Sequence, residues 1–409
     1  MNSKRFWGTV MAACLTVSLL AQQHKSVIPY KLVGQKMIIE MLVNGQPRPF
    51  VFDTGGRNAL TTEACQALGL SATDSMKVTD ANNAVSYCKT TRIKTLATPD
   101  RVFGFTNAPV LILDRIPGWE CFEADGIIGS DLLAQTIVTI DSKSQTITLT
   151  TAEKAPAVSL RKMRPFVKDG FMPLISMQVA PASNFTALFD TGCGGLLSLK
   201  KEDYEKMKGE ADLKVTSEGY GEGSISVAGQ APRASSLRVK IPLLSLGSTK
   251  FRNLTTTTGT PPYTLLGVKV LEYGKVTIDY PRRRFYFEAY EVENKIDNRT
   301  NNFDLTVKDG DLVVSTVWSS AKGKVEVGDK VIKINGKPIG KYDFCESIIN
   351  GIPELKNKKR VNLTIRTDNG EKEIAYEKEE NRSYDVANAD HRLDSPAYKR
   401  SIYNGTDQQ

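Results

Sequence analysis

The sequence predicts a mainly β protein built from two copies of one lobe, with a smaller α/β module behind them. Three observations predict this. An apolar run breaks into Asp-Thr-Gly twice, as Phe50-Val51-Phe52 before Asp53-Thr54-Gly55 and as Ala187-Leu188-Phe189 before Asp190-Thr191-Gly192, 137 residues apart. The surroundings repeat in nearly the same register: Ile127-Ile128-Gly129 and Leu265-Leu266-Gly267 lie 138 residues apart, as do Val138-Thr139-Ile140-Asp141 and Val276-Thr277-Ile278-Asp279. Beyond Asn294 the chain turns polar, and a different apolar pattern then begins. A lone Asp-Thr-Gly arises by chance in about one chain in ten of this length. Several landmarks held in one register point instead to a duplicated unit.

The elements follow in chain order. Lys4-Arg5 precede an apolar stretch from Phe6 to Leu20, and Ala21 is followed by polar Gln22-Gln23. This is the pattern of a secretion signal over 1–21, too short for a membrane span, and it predicts a periplasmic or secreted chain that is not an integral membrane protein once the signal is removed. Ala12-Ala13-Cys14 also fits a lipid-attachment site, but the apolar residues continuing to Leu20 favour cleavage near Ala21. The first lobe is expected over 25–155 and the second over 156–292. Met37–Leu42 and Met172–Met177 are strand-like runs leading toward the two Asp-Thr-Gly turns. Thr79–Val85, with Asn82 in it, reads as a hairpin tip in the first lobe. Gly219-Tyr220-Gly221-Glu222-Gly223 reads as the tip in the second, its glycines supplying turn flexibility and Tyr220 closing over a ligand.

Each Asp-Thr-Gly reads as a strand breaking into a tight turn, which holds the aspartate on a rigid base while the glycine permits close approach. The Thr54 and Thr191 hydroxyls are placed to bond across to the opposite turn. Two carboxyls facing one another cannot both ionise easily, so they share one proton. The ionised member can take a proton from a water lying between them, and the protonated member can donate to a carbonyl oxygen. The chain's two histidines, His24 and His391, lie near the start of the mature chain and in a polar tail. Ser-His-Asp and Cys-His mechanisms, which need an imidazole beside the nucleophile, are therefore unsupported. No Cys-x-x-Cys pair suggests zinc, and no metal or cofactor is expected. Without Cys14 five cysteines remain: Cys65, Cys88, Cys121, Cys193 and Cys345. One bridge within the first lobe, Cys88–Cys121, is expected, with Cys193 a small packed residue. The formal charge of +8 is scattered, apart from Arg282–Arg284 and Lys356–Arg360, so no nucleic-acid partner is expected.

Residues up to about 290 resemble aspartyl proteases of the pepsin and retropepsin kind. The resemblance rests on Asp53-Thr54-Gly55, Asp190-Thr191-Gly192, Ile127-Ile128-Gly129 and Leu265-Leu266-Gly267. It is strongest to bacterial retropepsin-like enzymes that carry both lobes in one chain. It implies two β-barrel lobes with a cleft between them, Asp53 and Asp190 as the catalytic pair, and Ile128-Gly129 and Leu266-Gly267 threading behind the turns. It also implies a peptide or protein substrate. Pepsin-like members carry Ser or Thr after the glycine, where this chain has Gly56 and Cys193. Loss of those hydroxyls is expected to weaken stabilisation of the charged pair and to raise the pH range of activity. A catalytically inactive peptide-binding scaffold with the same fold is the alternative. A third reading is an envelope protein that works through its C-terminal module alone.

In that module Leu312–Val317 is strand-like. Val331–Ile334 and Asn335-Gly336 read as a strand and a tight turn, Tyr342–Asn350 as a helix, and Val361–Ile365 and Glu373–Tyr376 as strands. Over 296–380 the chain resembles a PDZ domain, most specifically in its Gly-Asp-Lys-Val-Ile-Lys-Ile-Asn-Gly run. The resemblance implies capture of a peptide C-terminus by strand addition, along Leu312, Val313 and Val314 and beside Ser347 of the helix. Residues 381–409 read as a flexible polar tail.

Overall fold

A computed structural model describes residues 24–379, apart from 115, 168, 181–182, 228, 297–298 and 368–369. The expected signal, Cys14, His391 and the tail from 381 lie outside the described residues. The chain is mainly β, with barrel-like sheets. Alternation explains the outer strands: Met37, Ile39, Met41 and Val43 of the strand Lys36–Val43 are buried, and the residues between them are less so. The strand Gln46–Asp53 starts exposed and becomes continuously buried at Phe50-Val51-Phe52 as it enters the core. One apolar core runs through both lobes and includes Phe50, Phe52, Ile128, Phe189, Leu266 and Phe285. Each such side chain contributes roughly 1.5–3 kcal/mol on burial.

The repeat is visible as symmetry. Thr136–Asp141 pairs antiparallel with Gly274–Asp279, so the two Val-Thr-Ile-Asp segments zip onto each other. Thr139 stands opposite Thr277, its equivalent in the other copy, with their hydroxyls 3.0 Å apart. A local two-fold relation therefore passes between them. In each lobe the strand ending in aspartate runs parallel to the apolar-apolar-Gly strand, Gln46–Asp53 beside Gly126–Gly129 and Ser183–Asp190 beside Thr264–Gly267.

The C-terminal module has its own apolar core, which includes Phe303, Leu312, Val314, Val331, Leu363 and Ile365. Its helix Phe344–Asn350 begins where the Asp343 carboxylate accepts from the Glu346 amide at 2.8 Å. The module is continuous with the second lobe, because the strand Lys214–Gly221 pairs with Asp311–Trp318. Arg238, only 3% exposed, crosses this junction. It donates to the Asn301 carbonyl at 2.6 Å, pairs with Asp304 and stacks 3.7 Å over the Trp318 ring.

Three expectations are corrected. The disulfide joins Cys121 to Cys345, bolting the module's helix to the first lobe, and Cys88 is a free thiol on the first-lobe hairpin. Linear spacing suggested a local bridge, whereas the fold brings together residues 224 positions apart. Tyr220 is not at a hairpin tip. It lies inside the strand Lys214–Gly221, with its backbone opposite Ser235 on one side and Val317 on the other. The flanking glycines are there for proximity: a Cβ on Gly219 would stand 2.5 Å from the Trp318 ring, and one on Gly221 would collide with Thr316. Finally, Leu312, Val313 and Val314 do not line an open edge. Their strand pairs with Phe303–Lys308 on one side. On the other side it meets Asp329-Lys330, and further along Gly219–Gly221. Ser347 uses its hydroxyl on the Phe344 carbonyl at 2.6 Å.

Candidate active site

The two Asp-Thr-Gly turns meet at the junction of the lobes. The strand register sets Asp53 beside Gly129 and Phe52 beside Ile128, and it sets Asp190 beside Gly267 and Phe189 beside Leu266. Both turns therefore rest on the buried ends of these strands, Phe50–Phe52 and Ala187–Phe189. The threonines point away from the cleft and cross-link the copies. The Thr54 amide donates to Thr191 Oγ1 at 3.0 Å, and the Thr191 amide donates to Thr54 Oγ1 at 3.1 Å. The Thr54 hydroxyl donates onward to the Phe189 carbonyl at 2.7 Å, and the Thr191 hydroxyl to the Phe52 carbonyl at 2.8 Å. All four groups are buried, so loss of one leaves unpaired partners costing about 1–3 kcal/mol.

Glycine makes the approach of the turns tolerable. A Cβ on Gly55 would stand 2.6 Å from Asp190 Oδ1, and one on Gly192 would stand 2.5 Å from Asp53 Oδ2. The two carboxyls thus lie each against the opposite turn. Asp53 Oδ1 accepts from the Gly55 amide at 2.9 Å. Asp190 Oδ1 accepts from the Gly192 amide at 2.7 Å and the Cys193 amide at 3.2 Å. The Gly56 amide bonds to the Asp53 main-chain carbonyl instead. Burial first, and then the charge of Asp53, push the Asp190 carboxyl up to about 8, against a smaller opposing pull from Lys36. The Asp190 carboxyl therefore keeps its proton through the acid range, beside the Asp53 carboxyl. The Cys193 thiol is pushed up to about 11, by burial and then by Asp190, and stays protonated at neutral pH.

Three groups near the pair carry no signal in the sequence. Ser130 donates to the Thr54 carbonyl at 2.6 Å and shares a 2.8 Å hydrogen bond with the Tyr280 hydroxyl, buttressing the first turn from behind. The second copy has Val268 at the place of Ser130, so the repeat does not mark it. Tyr280 belongs to the other lobe and is buried. Lys36 starts a first-lobe strand and reaches the Gly192 carbonyl of the second turn.

Asp74–Thr79 and Val85–Ala97 form the first-lobe hairpin, with Asn82 in its tip. The tip meets the second lobe. Asn82 Nδ2 donates to the Ser224 carbonyl at 2.9 Å and to Ser226 Oγ at 3.0 Å, and the Ser224 hydroxyl donates back to Asn82 Oδ1 at 2.5 Å. Ser226 also donates to Asp80. Val227, beside these contacts, packs on a small apolar cluster that includes Ile127, Leu111 and Met76. The second-lobe contribution is thus Ser224, Ser226 and Val227, beyond Tyr220.

A comparison with curated proteins finds no match. Among solved structures the chain is similar to an aspartic proteinase from Irpex lacteus, at 12% identity and a TM-score of 0.42, over 66% of this chain and 98% of that one. Residues 39–132, which carry Asp53-Thr54-Gly55 and Ile127-Ile128-Gly129, match the family model for aspartyl proteases.

Proposed function

We propose that this chain is an aspartic-type endopeptidase that hydrolyses peptide bonds with a water held between Asp53 and Asp190, acting outside the cytoplasm. The observation that carries this reading is the mutual approach of the two carboxyls, each lying where a Cβ on the opposite glycine would be. With one proton on the pair, the ionised carboxylate removes a proton from the water as its oxygen bonds to the scissile carbonyl carbon. The protonated carboxyl donates to the carbonyl oxygen, giving a neutral gem-diol. Collapse then breaks the C–N bond as the newly protonated carboxyl delivers its proton to the leaving nitrogen, and the other recovers its proton from the diol. Thr54 and Thr191 hold the turns, and Asn82 links the first-lobe hairpin to the second lobe.

The C-terminal module is read as a PDZ-like unit for peptide binding or regulation. Its peptide would add to Phe303–Lys308, whose second edge has no strand partner among the described residues.

The test is cleavage of a diverse peptide library by the mature chain from pH 3 to 8, beside Asp53→Asn and Asp190→Asn. Cleavage by the wild type, reduced about 10²–10⁴-fold or more in either folded variant, is expected. Undiminished cleavage in the variants would refute the dyad. Peptide binding without cleavage by the wild type would favour the inactive scaffold.

A further inference from the structure

The first-lobe turn at Val33–Lys36 is wedged between the second Asp-Thr-Gly turn and the C-terminal module. On one side, a Cβ on Gly34 would stand 3.6 Å from the Ile348 carbonyl in the module's helix. The same helix carries Cys345, tied to Cys121 of the first lobe. On the other side, the Gln35 side chain fills the space that a Cβ on Gly194 would need, and Lys36 Nζ donates to the Gly192 carbonyl. Gly192 in turn donates its amide to Asp190 Oδ1 at 2.7 Å. One glycine thus receives an ammonium at its carbonyl and presents its N–H to the carboxyl.

We propose that Lys36 is a positioning residue of the carboxyl pair: its ammonium fixes the Gly192 peptide and places one positive charge on the Asp190 side of the cleft. This rests on the reading of Asp53 and Asp190 as a catalytic dyad.

The arrangement breaks the symmetry of the repeat. Ile38 pairs with Val51 two residues before Asp53, and Leu174 pairs with Leu188 two residues before Asp190, so Met172 takes the place of Lys36 in the second copy. Met172 is uncharged, so the equivalent position supplies no cation on the Asp53 side. Among the described residues, the other titratable groups facing the pair include Cys193 in the second turn and Tyr280 behind the first, with Asp131 and Arg57 beyond them. Burial raises both the Cys193 thiol and the Tyr280 phenol, so neither carries charge at acid or neutral pH. Lys36 also opposes the rise at Asp190, the direction expected of a cation beside a carboxylate. Removing its charge must make the pair bind protons more tightly.

Two variants of the full chain separate charge from bonding. Lys36→Gln retains an N–H donor for the Gly192 carbonyl and loses the charge, whereas Lys36→Arg retains both. Both limbs of the pH–rate profile for peptide cleavage are expected to move upward by roughly 1 pH unit in Lys36→Gln and to stay in place in Lys36→Arg. A parallel titration of aspartate carboxyl carbons by NMR is expected to show the same displacement. Limbs and carboxyl titrations that coincide with the wild type in a folded Lys36→Gln protein would overturn the proposal. If the wild type cleaves nothing, the peptidase reading fails by itself. The NMR titration then still decides on Lys36: a displacement in the Gln variant alone upholds its role, and none sinks it.

Discussion

Gly55 and Gly192 decide how near Asp53 and Asp190 come to each other. Any side chain at Gly192 enters the space of the Asp53 carboxyl, and the buried strands beneath leave the turns no soft direction in which to yield. Gly192→Ala is expected to lower kcat/KM about 100-fold, since a misplacement near 1 Å costs that much, and to lose about 1–3 kcal/mol of stability. Cleavage kinetics and thermal unfolding check both; wild-type kcat/KM would mean that the turns have slack. The aspartates, threonines and glycines are legible because the chain writes them twice. Lys36 is not legible: a lysine at the start of a strand looks like any solvated lysine, and only the folded lobes bring it to Gly192. Ser130 escapes for the opposite reason, since its symmetry mate is an apolar Val268 that cannot make the bond to Tyr280.

At the scale of elements, the strands leading into the turns follow from alternation and apolar runs. The hairpin around Asn82 follows from its turn residues, with Thr79 opposite Val85 at its base. The glycines at 219–223 were misleading because glycine serves turns and close contacts alike. Here Trp318 and Thr316 from a distant strand occupy the space. The Cys121–Cys345 bond was equally hidden, as pairing depends on distance in the fold. By the chain-entropy account, a bridge across 224 residues stabilises by on the order of 5 kcal/mol. Cys345→Ser is therefore expected to lower the Tm. The paired backbones at Gly219–Gly221 and the buried Arg238 keep the module docked even so. Hydrogen exchange at the Glu222 amide, which donates to the Ser315 carbonyl across the junction at 2.9 Å, tests this: protection retained in Cys345→Ser agrees, and protection lost would mean that the disulfide alone holds the module.

The whole molecule couples its stability to the protonation of its site. Because burial and Asp53 raise the Asp190 carboxyl to about 8, the folded chain holds more protons than the unfolded one above the ordinary aspartate pKa of about 3.9. The stabilisation from this group is complete below that value and is lost as pH rises through about 8. Asp190→Asn cannot ionise and escapes the loss. Its Tm relative to the wild type is expected to climb steadily from pH 4 to 8, and the comparison cancels the opposite trends of Asp100, Asp141 and Asp311, whose carboxyls are held low. A difference independent of pH would show that the Asp190 carboxyl is not held protonated.

The sequence by itself determined the class of the fold, the duplication, and the turns that bear the two aspartates, because periodicity and repetition are properties of linear order. Tertiary structure alone decided which cysteines join, which glycines are spacers, where the module's strand edges are filled, and which lysine attends the carboxyl pair. Those depend on contacts between residues far apart in the chain, and such contacts exist only once the lobes have closed on each other.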